Sequence, residues 1–464
     1  MRIVVTAALL AASVVTTVLS ITILPYNRTR TVEPLAIWTA VLWVLFALSL
    51  LALRRVTTKA AIVLVMIGSV AIGGAALAGP PNTSTDSARY AWDGIVQNAG
   101  VSPYDYVPAD PALTDLRPDW LFPAPVDGAC EGSRIMTFEE VGTGDVLCTA
   151  INRATVPTIY PPAAELYYAA VRAVVPTDAT YWPMQVAGLL ISLAVTGLLL
   201  RTLVTRNRDP RWAALWGWCP LVATEAVTNS HVDVLGAFLL LLATVLVGSR
   251  RRWLGGLALG ASIAVKLIPV IGAPPLLRRQ PWKLIIASIG IFLLLYVPYI
   301  IASGPAVLGY LPGYLSEEGY GTGKRFILLS LVFPGIGSLI VAAIILAVTA
   351  VITWWRSNPD NPWLGELVLI GVVLLVVSPR YAWYALLLLP MIAMTGRWEW
   401  LAVPLALTER LLVPSIPIAQ LTIFLSILFI GAVSVARMPP EARNRWGRRL
   451  RHPLASSGFG TANR

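Results

Sequence analysis

LAIWTAVLWVLFALSLLAL (35–53), RRVTTK (54–59) and AAIVLVMIGSVAIGGAALAG (60–79) follow one another without a break. Each apolar run has the roughly 20 residues that a helix needs to cross about 30 Å of hydrocarbon. The polar piece between them holds Arg54, Arg55 and Lys59, and basic breaks between spans face the cytoplasm. The pattern repeats outward in both directions. An apolar run at 3–24 precedes it and reads as a retained first span rather than a cleaved leader. Further spans are predicted near 184–204, 211–227, 232–249, 284–302, 326–354, 363–378, 381–395, 398–414 and 419–436. Of the 464 residues 57% are hydrophobic and 13% charged, about half the charged share of a soluble domain. The fold class is therefore an all-α polytopic membrane protein with about 12–14 hydrophobic helices.

Residues 253–277 depart from the pattern. They run between the basic clusters Arg250–Arg252 and Arg278–Arg279, with Lys266 and Pro269 in the middle. Each half is about 18 Å of helix at 1.5 Å per residue, too short to span. A helical hairpin with Lys266 near its tip is predicted, covered by protein or bordering a polar cavity.

The net charge of +11 is segregated, which argues against a nucleic-acid footprint. Residues 80–181 hold 13 Asp/Glu and 5 Lys/Arg, a net of −8. The remainder carries 11 acidic and 30 basic residues, a net of +19. Four parts follow: three spans (1–79), a large extracytoplasmic loop between the third and fourth spans (80–181), a transmembrane bundle (182–436) and a basic cytoplasmic tail (437–464). Both termini fall inside, and the membrane is the inner (plasma) membrane. The tail should touch anionic lipid head groups.

The loop carries the chemistry. From Asp86 to Gln97 it reads as a helix on which Asp86, Arg89, Tyr90, Asp93 and Gln97 share one face. Such a stripe offers a carboxylate base and a cation for an anionic leaving group. It equally suits the solvated face of an interfacial helix. Cys130 and Cys148 are placed for a disulfide if the loop faces an oxidising compartment. Their spacing, with no histidine beside them, is a poor metal signal.

Three motifs in the loop, D-x-x-R-Y-x-W-D-G from Asp86, N-A-G-x-x-P-Y-x-Y from Asn98 and P-T-I-Y-P-P-x-x-E from Pro157 to Glu165, are joined by three more. These are Asn229-Ser-His231-Val-Asp233, Val265-Lys266-Leu-Ile-Pro269 and Ser378-Pro379-Arg380-Tyr381-Ala-Trp383-Tyr384. In this order, over residues 86–390, the set resembles membrane glycosyltransferases of the GT-C superfamily. The nearest likeness is to the actinobacterial, GT87-like α-mannosyltransferases that use polyprenyl-phosphate mannose. The resemblance implies a GT-C-like fold, a sugar on a polyprenyl monophosphate as donor, a glycan or glycolipid of the cell envelope as acceptor, and inversion at the anomeric carbon. It places the essential acid at Asp86, with Asp93 second. Residues 120–155 look longer than the family's usual link, which leaves the acceptor open.

On this reading Arg89, Lys266 and Arg380 are candidates for the donor phosphate. Tyr90, Tyr160, Glu165, His231 and Asp233 are candidates for acceptor and sugar contacts. Each has an ordinary alternative. His231 suits a helix cap, Lys266 a snorkelling side chain, Arg380 a structural ion pair and Tyr160 simple packing. No cofactor or metal is called for, and no nucleic-acid partner. The rival readings are an arabinofuranosyltransferase using decaprenyl-phospho-arabinose and a lipid-linked sugar transporter. A transporter would favour buried midplane charges and repeated halves.

Overall fold

The computed structural model describes residues 2–24, 32–320 and 322–440. From residue 441 on, the basic tail lies outside the described residues. The chain is almost wholly helical. Seven helices are long and apolar enough to cross a membrane. They include α1 (Arg2–Ile23), α2 (Val32–Leu53) and α3 (Thr58–Ala75) before the loop and Ile416–Ala436 near the end. A bent pair, Val222–Thr228 and Asp233–Gly248, turns by 112° and would make an eighth span. The helices Arg252–Val265, Trp363–Val377 and Ala382–Thr395 are apolar but short.

The apolar runs at 211–227, 381–395 and 398–414 do not form single long helices. Pro210, Pro220, Pro390 and Pro404 fall at or near their breaks, and proline lacks the N–H that would carry a helix through. Gly396 adds a left-handed turn (φ 66°). These broken pieces sit where protein can satisfy their loose ends: Trp216, Leu386 and Met391 are fully buried. Long helices take the outside. Ile340, Ile344, Val348 and Val351 make one exposed apolar stripe, and Leu421, Phe424, Leu425 and Leu428 another. Water would not tolerate such stripes, and lipid does. The protein is a multi-pass membrane protein.

Residues 80–181 fold into a compact cap. Within it α4 (Asp86–Asn98) packs against α5 (Pro162–Arg172), and a two-stranded antiparallel hairpin pairs β1 (Met136–Glu139) with β2 (Val146–Thr149). A Cys130–Cys148 disulfide ties the hairpin to the segment before it. Trp92, Ile95 and Val96 of α4 bury against Leu113, Leu121 and Ile151. Tyr90, on another side of α4, packs with Ala164 and Tyr168 of α5 and with Met184, Val232 and Val265 of the bundle. The solvated-face alternative for α4 is therefore overturned: every residue from Ser87 to Val96 is buried. Gly94 makes the close α4–α5 approach possible, since a Cβ there would stand 2.5 Å from the Tyr168 carbonyl oxygen.

The cap is fastened to the bundle by buried polar groups. The Asn229 side-chain oxygen accepts from the backbone N–H of Asn82 and of Thr83, each at 3.0 Å. Gln185, near the start of α6 (Trp182–Thr205), donates to the carbonyls of Gly79 and Thr228 at 2.9 and 2.8 Å. The turn 228–231 is a buried seam between cap and bundle.

Candidate active site

A cavity of about 810 Å³ lies where the cap meets the bundle. Four pieces of backbone build its wall. Asp86 stands at the first turn of α4, and Asn152 and Arg153 follow β2. The helix Arg252–Val265 stops before Lys266, whose backbone is extended (φ −159°, ψ 139°) and turns its side chain to the cavity. Ser378, in the left-handed region at φ 48°, reverses the chain so that Arg380, Tyr381, Trp383 and Tyr384 join the lining. Leu308, Leu315, Leu411 and Leu412 supply an apolar side.

Asp86 is the carboxylate of this wall. Its Oδ1 accepts a 2.8 Å hydrogen bond from Asn152 Nδ2. Its Oδ2 lies 3.7 Å from His231 Nδ1. The His231 ring is fully buried and stacks on Trp383, centroid to centroid 3.7 Å at 17°. Tyr160 lines the cavity, and its hydroxyl donates to that of Tyr90 at 3.3 Å, behind it.

The structure separates the two acids of α4. Asp93 does not line the cavity; it is buried and accepts from Arg89 Nε at 2.8 and 3.0 Å. Arg89 also donates to the Val156 carbonyl at 3.0 Å and takes part in the cavity lining. Glu165 is likewise fully buried, accepting from Thr158 Oγ1 at 2.7 Å and Gln97 Nε2 at 2.9 Å. The expected second catalytic acid and the expected sugar-binding acid thus belong to one internal network. Helix spacing put Asp93 on the same face as Asp86, but that face is divided along its length between cavity and cap core. Asp233 is held by Lys266 Nζ at 2.8 Å, and that ammonium sits 4.4 Å from the centre of the Tyr384 ring.

Burial pushes the Asp93 carboxyl up, outweighing the opposing charge of Arg89. It pushes Glu165 well above its ordinary 4.5, with the Asp93 charge adding to the effect. A carboxyl raised on folding contributes stability that is complete below the unfolded value and is lost as pH rises through the folded one. Melting temperatures in detergent should therefore fall as pH climbs from about 4.5. The slope should flatten in Glu165→Gln; an unchanged slope there would assign the dependence elsewhere.

Cations crowd the wall. Arg153 pairs with Glu317 at 2.8 Å, and Arg325 pairs with Glu318. Among the described residues Arg380 is the lining cation without a carboxylate partner. No three His, Cys, Asp or Glu side chains among the described residues gather as a metal centre would.

Residues 158–379 match glycosyltransferase family 87. The protein is a membrane glycosyltransferase. The match takes in Tyr160, Glu165, His231, Asp233 and Lys266; it begins after Asp86 and ends one residue before Arg380. Searches of curated proteins and of solved structures gave no match. Sequence reasoning passed over two side chains of this glycosyltransferase. Asn152 lies in the long link and carries no local signal. Glu225 is an acid inside an apolar run, a flag for function in a membrane chain.

Proposed function

We propose that this glycosyltransferase moves mannose from a polyprenyl monophosphate to a glycan or glycolipid of the cell envelope, with inversion. Its site faces the outside of the plasma membrane. The supporting observation is the shared cavity: Asp86 and Arg380 line the same space, whose other side is apolar. Asp86 takes the proton of the acceptor hydroxyl. The oxygen attacks C1 of the sugar from the face opposite phosphate, and the C1–O bond breaks to release polyprenyl phosphate. Arg380, free of a competing carboxylate, holds the phosphate, where a guanidinium makes paired charge-assisted hydrogen bonds. Lys266 adds charge from beside Asp233. The leucine side suits an isoprenoid chain, and the tyrosines and Trp383 offer flat faces to sugar.

The test is transfer by the purified protein from mannosyl-phospho-polyprenol, set against the arabinosyl donor. Product from mannose alone supports the reading; product from arabinose alone replaces it. A protein that moves lipid-linked sugar across vesicles but forms no product would be a transporter. With the active donor, Arg380→Ala should raise KM by about tenfold to a hundredfold, the worth of hydrogen bonds to a charged group. An unchanged KM would move the phosphate to another cation.

A further inference from the structure

His231 sits between two carboxylates. Its Nδ1 is 3.7 Å from Asp86 Oδ2, and its Nε2 is 3.2 Å from Glu225 Oε2. Glu225 is buried, and its Oε1 accepts from Thr83 Oγ1 at 3.2 Å. Two features show this glutamate to be specially placed. It lies in a π-helical turn, Val222–Thr228, a geometry that costs helix stability and clusters at functional sites. It also borders a second, small cavity of about 20 Å³, enough for a water. That cavity shares Asn82 and Thr83 with the wall of the large one. Neither contact of the imidazole is a formed hydrogen bond: the first is too long, and Nε2 lacks an aligned partner. Loose contacts of this kind are common before substrate binds.

We infer that Glu225, acting through His231, receives the proton that Asp86 takes from the acceptor. The inference rests on Asp86 as the base. The proton leaves Asp86 Oδ2 for His231 Nδ1, while the proton on Nε2 passes to Glu225 Oε2. Asp86 is again a carboxylate, the imidazole is again neutral in its other tautomer, and Glu225 holds one proton. Release by way of the small cavity and a return of the tautomer complete the cycle. Without the relay, a protonated Asp86 would have to discharge through a cavity filled by product lipid. Stacking on Trp383 keeps the ring plane fixed for both transfers. The other polar groups around the imidazole are Tyr90, whose hydroxyl is 3.5 Å from Nδ1, and the Asp233–Lys266 pair. Glu225 is thus a positioning and relay residue that does not itself touch substrate.

The experiment uses the full-length protein in detergent with whichever lipid-linked donor it accepts. Glu225→Gln cannot take up a proton. It should lower kcat by about tenfold to a hundredfold, within the range of proton-transfer catalysis. Donor KM should stay within about twofold, since no ground-state contact is lost. The solvent isotope effect on kcat should rise. Glu225→Asp keeps an acid but moves it away from Nε2. It should retain more kcat than Gln, again with a raised isotope effect, and it decides the matter alone if the Gln variant fails to fold. Wild-type kcat and isotope effect in a folded variant would overturn the relay, as would a change confined to KM. If the wild-type protein turns over and Asp86→Asn does not, such a result defeats the relay alone. A wild-type protein inactive with every lipid-phosphate donor defeats the underlying reading instead.

Discussion

Asp86→Asn should leave the protein folded and reduce kcat on the order of a thousandfold, in the middle of the range for loss of a general base. The substitution keeps the size of the side chain and one acceptor oxygen, so the 2.8 Å bond from Asn152 survives. The amide replaces Oδ2 opposite His231 Nδ1, where 3.7 Å leaves room for an N–H. Basicity is what disappears. Donor KM should change little, because an acceptor proton is not bound in the ground state. The measurement is steady-state transfer alongside a melting curve in detergent. A variant that keeps more than about a tenth of the wild-type rate would be doing without a base at this position.

Asp93→Ala should be the most damaging change to stability, at about 3 kcal/mol or more. Breaking a buried ion pair by removing one partner strands the other charge, and that typically costs 3–5 kcal/mol. Arg89 would keep its bond to the Val156 carbonyl but lose both contacts to Nε. Glu165 can ionise in response, since Asp93 no longer opposes its charge, so the low end of the range is expected. The Arg89→Ala, Asp93→Ala double variant should lose less than the sum of the single ones, the signature of a direct pair. A loss below about 1 kcal/mol would mean a pair worth no more than an exposed one.

Much of this architecture is legible in the sequence because the bilayer imposes one length and one polarity on every lipid-facing helix. The runs at 3–24, 35–53 and 419–436 are read almost to their ends. Runs such as 381–395 mislead because hydropathy cannot tell lipid from protein interior; both are apolar, and a helix buried in protein can stop short at a proline. Within the site, Asp86, Lys266 and Arg380 line one cavity; Lys266 stands out in the sequence as a charge inside an apolar run, whereas Asp86 and Arg380 rest on the ordered motifs. Asp93 shares a helical face with Asp86 yet lies off the cavity wall, and Glu165, which rests on a motif, is fully buried beside it. Helical spacing reports which residues share a face, not whether that face meets a cavity or a neighbouring helix. Asn152 contacts Asp86 across 66 residues of chain, a pairing that only the folded cap creates.

The way the cap is seated bears on how this protein can be handled. Asn229 and Gln185 serve backbone groups of residues 79–83, while Val232, Val265 and Met184 close the apolar packing around Tyr90. Cut free, residues 80–181 would keep their disulfide but present a raw greasy underside and several stranded amides, and the membrane half would be left with an uncovered polar seam. Neither piece is a module that can be expressed, crystallised or swapped by itself, so work on the extramembrane chemistry has to begin from the intact protein in lipid or detergent.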